Sequence, residues 1–161
     1  MNNEILDKIK NLKKRGKHED AYKIALKYST CHPNDAIAQL SAAYAADRLG
    51  FEKEAVKFYE KAELLGVPEA ETCEFLLCFG STLRNIGRVN DAICKLHEAA
   101  EKEPERPEIK AFLSLALHSA GHYNESLASM LEAALQASSK DAFGPYYRAL
   151  LEYKRELSKL K

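Results

Sequence analysis

At 161 residues the chain is long enough for one domain with a real apolar core. Lysine and arginine together number 24 and aspartate and glutamate also 24, so the formal charge is zero and offers no general attraction to nucleic acid or to an anionic membrane. The N-terminal run MNNEILDKIKNLKKRGKHED mixes charge into every turn, and no later stretch approaches the roughly 20 apolar residues of a membrane span, so the expectation is a cytoplasmic protein without a membrane partner.

Four glycines, Gly16, Gly50, Gly87 and Gly121, each stand between two helical patterns, at spacings of 34, 37 and 34 residues. The period predicts an all-α chain, a single domain over 1–161. It divides into four helical hairpins over about 2–34, 35–68, 69–105 and 107–139 and a last helix over about 142–160. The first hairpin is the least regular and the most basic, with Lys8, Lys10, Lys13, Lys14, Arg15 and Lys17 in one cluster. A solvated helix end accounts for the cluster, because no aromatic stacking platform is interleaved with it to suggest RNA.

Five residues after each glycine stands a small residue, Ala21, Ala55, Ala92 or Ser126, and seven before it stand Ala43, Gly80 and Ser114, with Ile9 departing in the first repeat. Small side chains at both places let antiparallel helices approach closely at their crossing. Nine residues after the glycine a large apolar residue fills the second helix as Tyr59, Leu96 and Met130, with Ala25 in the first repeat. Pro33, Pro68 and Pro104 mark the corners between repeats, where proline opposes helix continuation. The three extra residues between the second and third repeats fall around 65–72, so the third repeat's first helix can begin early, at about Glu69. Either the lengthened helix projects as a partner contact, or the extra residues are a tolerated surface insertion.

The last helix carries a stripe Tyr146, Leu150, Tyr153, Leu157 and Leu160, read as the cover for the open end of the stack. A second row, Phe143, Tyr147 and Leu151, broadens its apolar face. Phe143, Tyr146, Tyr147, Leu150 and Tyr153 are therefore expected to contribute to a two-fold dimer as well.

Chemistry is harder to find. No GxGxxG or P-loop pattern is present to cradle phosphates, and no paired acid and base stands in an apolar setting, so neither an enzyme nor a cofactor is expected. His118 and His122 are separated by the turn at Gly121, and Cys94 with His97 has no second ligand pair nearby, so no metal site is expected. The cysteines, Cys31, Cys73, Cys78 and Cys94, form no CxxC pair and read as reduced thiols.

The recurrent glycines, small crossing residues and corner prolines together resemble the tetratricopeptide-repeat superfamily over nearly the whole chain. GSTLRNIGRVNDAI and IKAFLSLALHSAGHYNESL are also similar to a family of small, mostly bacterial tetratricopeptide proteins of unassigned function. The resemblance implies an α-α superhelix, a solenoid whose concave face binds a peptide or helix of a partner protein. From the narrower family it implies the option of a self-assembling homodimer and no known activity.

The superfamily's concave positions fall here on Asn3, Leu6, Lys10, Lys13 and Lys14, then on Ile37, Leu40, Tyr44, Asp47 and Arg48. They continue on Glu74, Leu77, Ser81, Arg84 and Asn85, and on Glu108, Ala111, Leu115, His118 and Ser119. Leu6, Lys10, Leu40, Tyr44, Leu77, Arg84, Leu115 and His118 are the expected partner contacts, an apolar strip with charged edges. Alternatively, several of the apolar residues are buried between repeats. Where chaperone-binding relatives grip a C-terminal carboxylate, this chain has Leu6 with Lys10 and Leu40 with Tyr44, so chaperone-tail binding is not expected.

Overall fold

A computed structural model describes residues 2–138 and 142–160, with side chains from residue 4 onward. The Asn3 side chain and residue 139, the expected end of the fourth repeat, lie outside the described residues. Two compact units divide the chain at 1–82 and 83–161, and the boundary falls inside one helix.

The N-terminal unit runs α1 (Asn2–Lys14), α2 (His18–Cys31), α3 (Ala36–Arg48), α4 (Glu52–Leu65) and most of α5 (Glu69–Asn85). α1 packs on α2, α2 on α3 and α3 on α4. The α1–α2 turn closes as the glycine pattern requires: Gly16 takes φ +72°, its N–H bonds to the Lys13 carbonyl, and the Lys17 N–H reaches back to Leu12. Ala21, Ala43 and Ala55 are all buried, as crossing residues must be. Ile9, the departure from the small-residue rule, is buried as well, packed with Ala21, Ala25 and Ala45. A bulky residue on one side of this crossing is matched by alanines on the other.

The corner between α2 and α3 is held by side chains. Asp35 caps α3, accepting from the backbone N–H of Ile37 at 2.9 Å and of Ala38 at 3.4 Å, while its other oxygen accepts from the Tyr28 hydroxyl at 3.1 Å. The two N–H groups of the buried Gln39 amide are shared among the carbonyls of Ser29, His32 and Pro33, supplying donors where the chain reverses. α5 begins at Glu69 and is longer than α1 or α3, so the extra residues of the third repeat extend its first helix.

The C-terminal unit contains the end of α5, α6 (Val89–Lys102), α7 (Pro107–Ser119), α8 (Tyr123–Ala137), a 3₁₀ turn at Gly144–Tyr146 and α9 (Tyr147–Leu157). In its α7–α8 hairpin the crossing residues are serines, and their hydroxyls bond reciprocally. Ser114 Oγ donates to the Ser126 carbonyl at 2.8 Å and Ser126 Oγ to the Ser114 carbonyl at 2.9 Å. A serine pair thus keeps the spacing of an alanine pair and still satisfies two buried hydroxyls.

α9 packs on α8 but buries no residue fully. Its orientation differs from the expectation. Phe143, Tyr147 and Leu151 are half-buried, and Tyr147 and Leu151 line a small cleft with Leu135 of α8, whereas Tyr146 and Tyr153 of the supposed covering stripe are 72% and 59% exposed. A charged clamp lies on the same side: Glu132 of α8 takes Lys110 at 2.8 Å and Lys154 of α9 at 2.9 Å, joining the Lys154 side of α9 to α8. Met130, expected to fill the core of the fourth hairpin, is 37% exposed beside Leu127 at 56%, because α9 lies toward Glu132 and leaves their side of α8 open. Leu150 is half-buried.

Candidate functional site

In the N-terminal unit the first helices of the hairpins present a trough of about 520 Å³. It is lined by Lys13 at the end of α1, Tyr44, Asp47 and Arg48 along α3, Tyr59 of α4, and Glu74 and Cys78 one helical turn apart on α5. Beneath it lies an aromatic floor. Tyr59 stacks on Phe79 at 5.2 Å between centroids and meets the edge of Tyr44 at 5.8 Å, with Phe75 against Phe79 at 5.5 Å.

Several of the polar groups above this floor are held out of water, while Arg48 and Glu74 are exposed. Asp47 Oδ2 accepts from the Thr82 hydroxyl at 2.8 Å and the Tyr59 hydroxyl at 3.2 Å, yet burial outweighs both bonds and pushes the Asp47 carboxyl above the usual range. Burial also pulls the Lys13 ammonium below its ordinary value. The group sits 5.7 Å over the Tyr44 ring, with no ion pair among the described residues. The Tyr44 hydroxyl is shut off from solvent and has no hydrogen-bond partner among the described residues, and its pKa is raised, first by burial and then by the neighbouring Cys78, Glu71 and Glu74. Cys78 Sγ donates to Glu74 Oε1 at 3.6 Å, and burial with the neighbouring carboxylates lifts the thiol to about 12, so it stays protonated at neutral pH.

A second, smaller cavity of about 270 Å³ shares Lys13, Tyr44 and Arg48 with the trough and adds His18 from the first turn of α2. His18 Nδ1 is likewise buried without a partner. In the C-terminal unit a larger cleft of about 710 Å³ is lined by Lys110, Leu113 and Leu117 of α7, by His122 and Glu125, and by Ser158. None of the orphaned polar atoms found among the described residues belongs to it, since these are on His18, Tyr44 and Arg84.

Of the eight expected partner residues, Tyr44 lines the trough and Lys10 is exposed on α1. Leu40 and Leu77 correct the expectation: at 2% and 7% exposure they are core residues, buried between repeats. An aspartate at position 40 would therefore unfold the unit rather than merely block a partner. Leu6 is half-buried. In the C-terminal unit Leu115 and His118 are exposed, His118 with its ring against Tyr123, and Arg84 is half-buried with its terminal nitrogen donating to Asn85.

The trough is thus mixed, with charged groups over an aromatic floor, where the sequence suggests an apolar strip with charged edges. Lys13, Asp47, Arg48 and Glu74 occupy concave positions of the repeat. Tyr59, Cys78 and His18 were missed: Tyr59 and Cys78 pass for core, although a tyrosine where the other repeats carry Leu, Met or Ala signals a polar tip reaching outward.

No described helix is long and apolar enough to cross a membrane. The family model for the tetratrico peptide repeat matches residues 36–157. No curated protein matches the chain. Among solved structures, residues 41 to the end of MamA from Desulfovibrio magneticus RS-1 are 16% identical, covering 97% of this chain and 92% of that one with a TM-score of 0.73. YrrB, a TPR protein with an unusual peptide-binding site, is also 16% identical, over 97% of this chain and 86% of its own, with a TM-score of 0.68. At such identity the likeness shows the fold alone, an all-α solenoid. On the match over residues 36–157 together with the hairpins described above, the chain belongs to the tetratricopeptide-repeat family.

Proposed function

We propose that the chain is a protein-interaction scaffold whose N-terminal unit binds a segment of a partner protein in the trough over Tyr44 and Tyr59. The observation that carries this reading is the Tyr44 hydroxyl, buried and without a partner among the described residues, beside a desolvated Lys13 that has no ion pair among them. Buried donors without acceptors cost on the order of 1–3 kcal/mol each, and a ligand that supplies acceptors recovers that cost on binding. The repeat fold and the peptide-binding site named for YrrB support the same reading. A binding role is favoured over catalysis because the trough's thiol stays protonated and Asp47 is engaged by two hydroxyls.

An array of unrelated peptides probed with the purified chain tests it. A subset of peptides should bind, and the double change Arg48→Glu with Glu74→Lys, which leaves net charge unaltered and touches exposed positions, should lose or re-rank that subset. An identical binding pattern for the two proteins would place the interaction elsewhere.

A second reading, homodimerisation through the C-terminal unit, is favoured by the open row Tyr123, Leu127 and Met130 on α8 and by Tyr146, Tyr153 and Leu160 beside and along α9. Light scattering at tens of micromolar should then give twice the monomer mass. The pair of changes Leu127→Glu and Tyr153→Glu should return the mass to the monomer's without altering the helical signal.

A further inference from the structure

We infer that the small cavity between Lys13, His18, Tyr44 and Arg48 is a carboxylate subsite, which takes an aspartate or glutamate side chain of the peptide bound in the trough. This rests on the proposed peptide binding and names the group that anchors it. The lining alone selects an anion: an ammonium, a guanidinium, a phenolic hydroxyl and an imidazole, with no carboxylate among them. Two of these groups, His18 Nδ1 and the Tyr44 hydroxyl, are buried without a partner, and no acceptor from elsewhere in the described chain reaches them. Lys13 and Arg48 likewise have no ion pair among the described residues, although Asp47 is adjacent in sequence to Arg48. Asp47 instead points its Oδ2 at Thr82 and Tyr59. The chain therefore places four groups able to donate around one cavity and turns the Asp47 carboxylate to Thr82 and Tyr59.

Position and size refine the ligand. Lys13 lies in the last turn of α1, His18 in the first turn of α2 and Arg48 in the last turn of α3, so the cavity opens at the hairpin-turn end of the trough. At about 270 Å³ it accepts a side chain branching from a peptide that lies across Tyr44, which lines both spaces. A carboxylate is selected over a phosphoryl group because Asp47 and Glu74 line the same trough, and a dianion would face their repulsion on entering. The charge-assisted bonds from Lys13 and Arg48 supply the strength, and the neutral donor of Tyr44 supplies direction.

Acetate is the first probe, titrated into the whole chain against chloride at equal ionic strength and followed by NMR at the His18 ring and the Lys13 ε-methylene. Saturable shifts with acetate and not with chloride are expected. Lys13→Met, which keeps the apolar stem, should weaken them about tenfold, equivalent to about 1.4 kcal/mol, and Tyr44→Phe should weaken them severalfold, both variants keeping the wild-type circular-dichroism melt. Equal shifts with chloride, unchanged titration of Lys13→Met, or tighter binding of inorganic phosphate than of acetate would each overturn the assignment.

The second probe is the set of array-selected peptides. Exchange of one acidic side chain for its amide should abolish binding, while amidation of the peptide C-terminus should not; the reverse pattern would reassign the cavity to a chain terminus and overturn the side-chain assignment. The two readings fail separately. Acetate binding without any peptide binding leaves the subsite standing and sinks the scaffold reading, whereas peptides that bind regardless of acidic side chains do the opposite.

Discussion

Asp47 shows most directly how the trough is built at the residue scale. Asp47→Ala would take the acceptor from the Tyr59 hydroxyl, while the Thr82 hydroxyl keeps the Cys78 carbonyl at 2.8 Å, and should cost about 1–3 kcal/mol in urea unfolding, whereas Asp47→Asn keeps an acceptor oxygen and removes the buried charge. Because folding raises the Asp47 pKa, the folded chain holds this proton more tightly than the unfolded one. The group's contribution to stability is therefore full below the ordinary carboxylate pKa of 3.8 and is lost as pH rises through the raised value. Melting curves should accordingly show Asp47→Asn gaining on the wild type between acid and neutral pH, and a gain in the opposite direction would contradict the desolvation of this carboxyl. Much of the trough was legible at this scale, since Lys13, Tyr44, Asp47, Arg48 and Glu74 all stand at concave repeat positions. Their burial was not, because a repeat register gives direction from the axis and not depth in the packing. Leu40 and Leu77 share the register of Tyr44 and Glu74 and are core.

Among the elements, the hairpins follow from the sequence almost completely. Turn glycines, crossing residues and corner prolines are local signals, and the hairpins satisfy most of them within their own stretches of chain, Ile9 of the first being the departure. The α7–α8 crossing gives a test. Ser126→Ala removes one hydroxyl and should cost about 1 kcal/mol by chemical denaturation, while Ser126→Val also forces the helices apart and should cost about 1–3 kcal/mol more. At the turn, Gly121→Ala should cost about 1–2 kcal/mol purely through the backbone, since φ is +84° and an added Cβ would meet nothing within 4 Å. The last helix was legible in existence and not in orientation. Its two apolar rows are nearly equivalent by spacing, and the row that faces α8 lies on the side of the Lys154–Glu132 pair, whose α8 partner no pattern within α9 reveals.

Across the whole molecule, equal numbers of acidic and basic side chains leave no overall repulsion for salt to relieve. The two units use charge differently: the N-terminal one leaves Lys13 and Arg48 without an ion pair among the described residues, around a cavity, and the C-terminal one joins Lys110, Glu132 and Lys154 into a bridge between helices. The bridge has a consequence for how the molecule responds to its medium. α9 buries no residue completely and is tied to α8 by the Lys154–Glu132 ion pair, and the screening length falls from about 10 Å at 0.1 M salt to about 3 Å at 1 M. Amide hydrogen exchange in α9 should therefore quicken severalfold between those conditions while exchange in the hydroxyl-locked α7–α8 hairpin stays constant. Ionic strength would then act as a dial on the last helix alone, uncovering the half-buried faces of Tyr147 and Leu151 without melting the repeat beneath them.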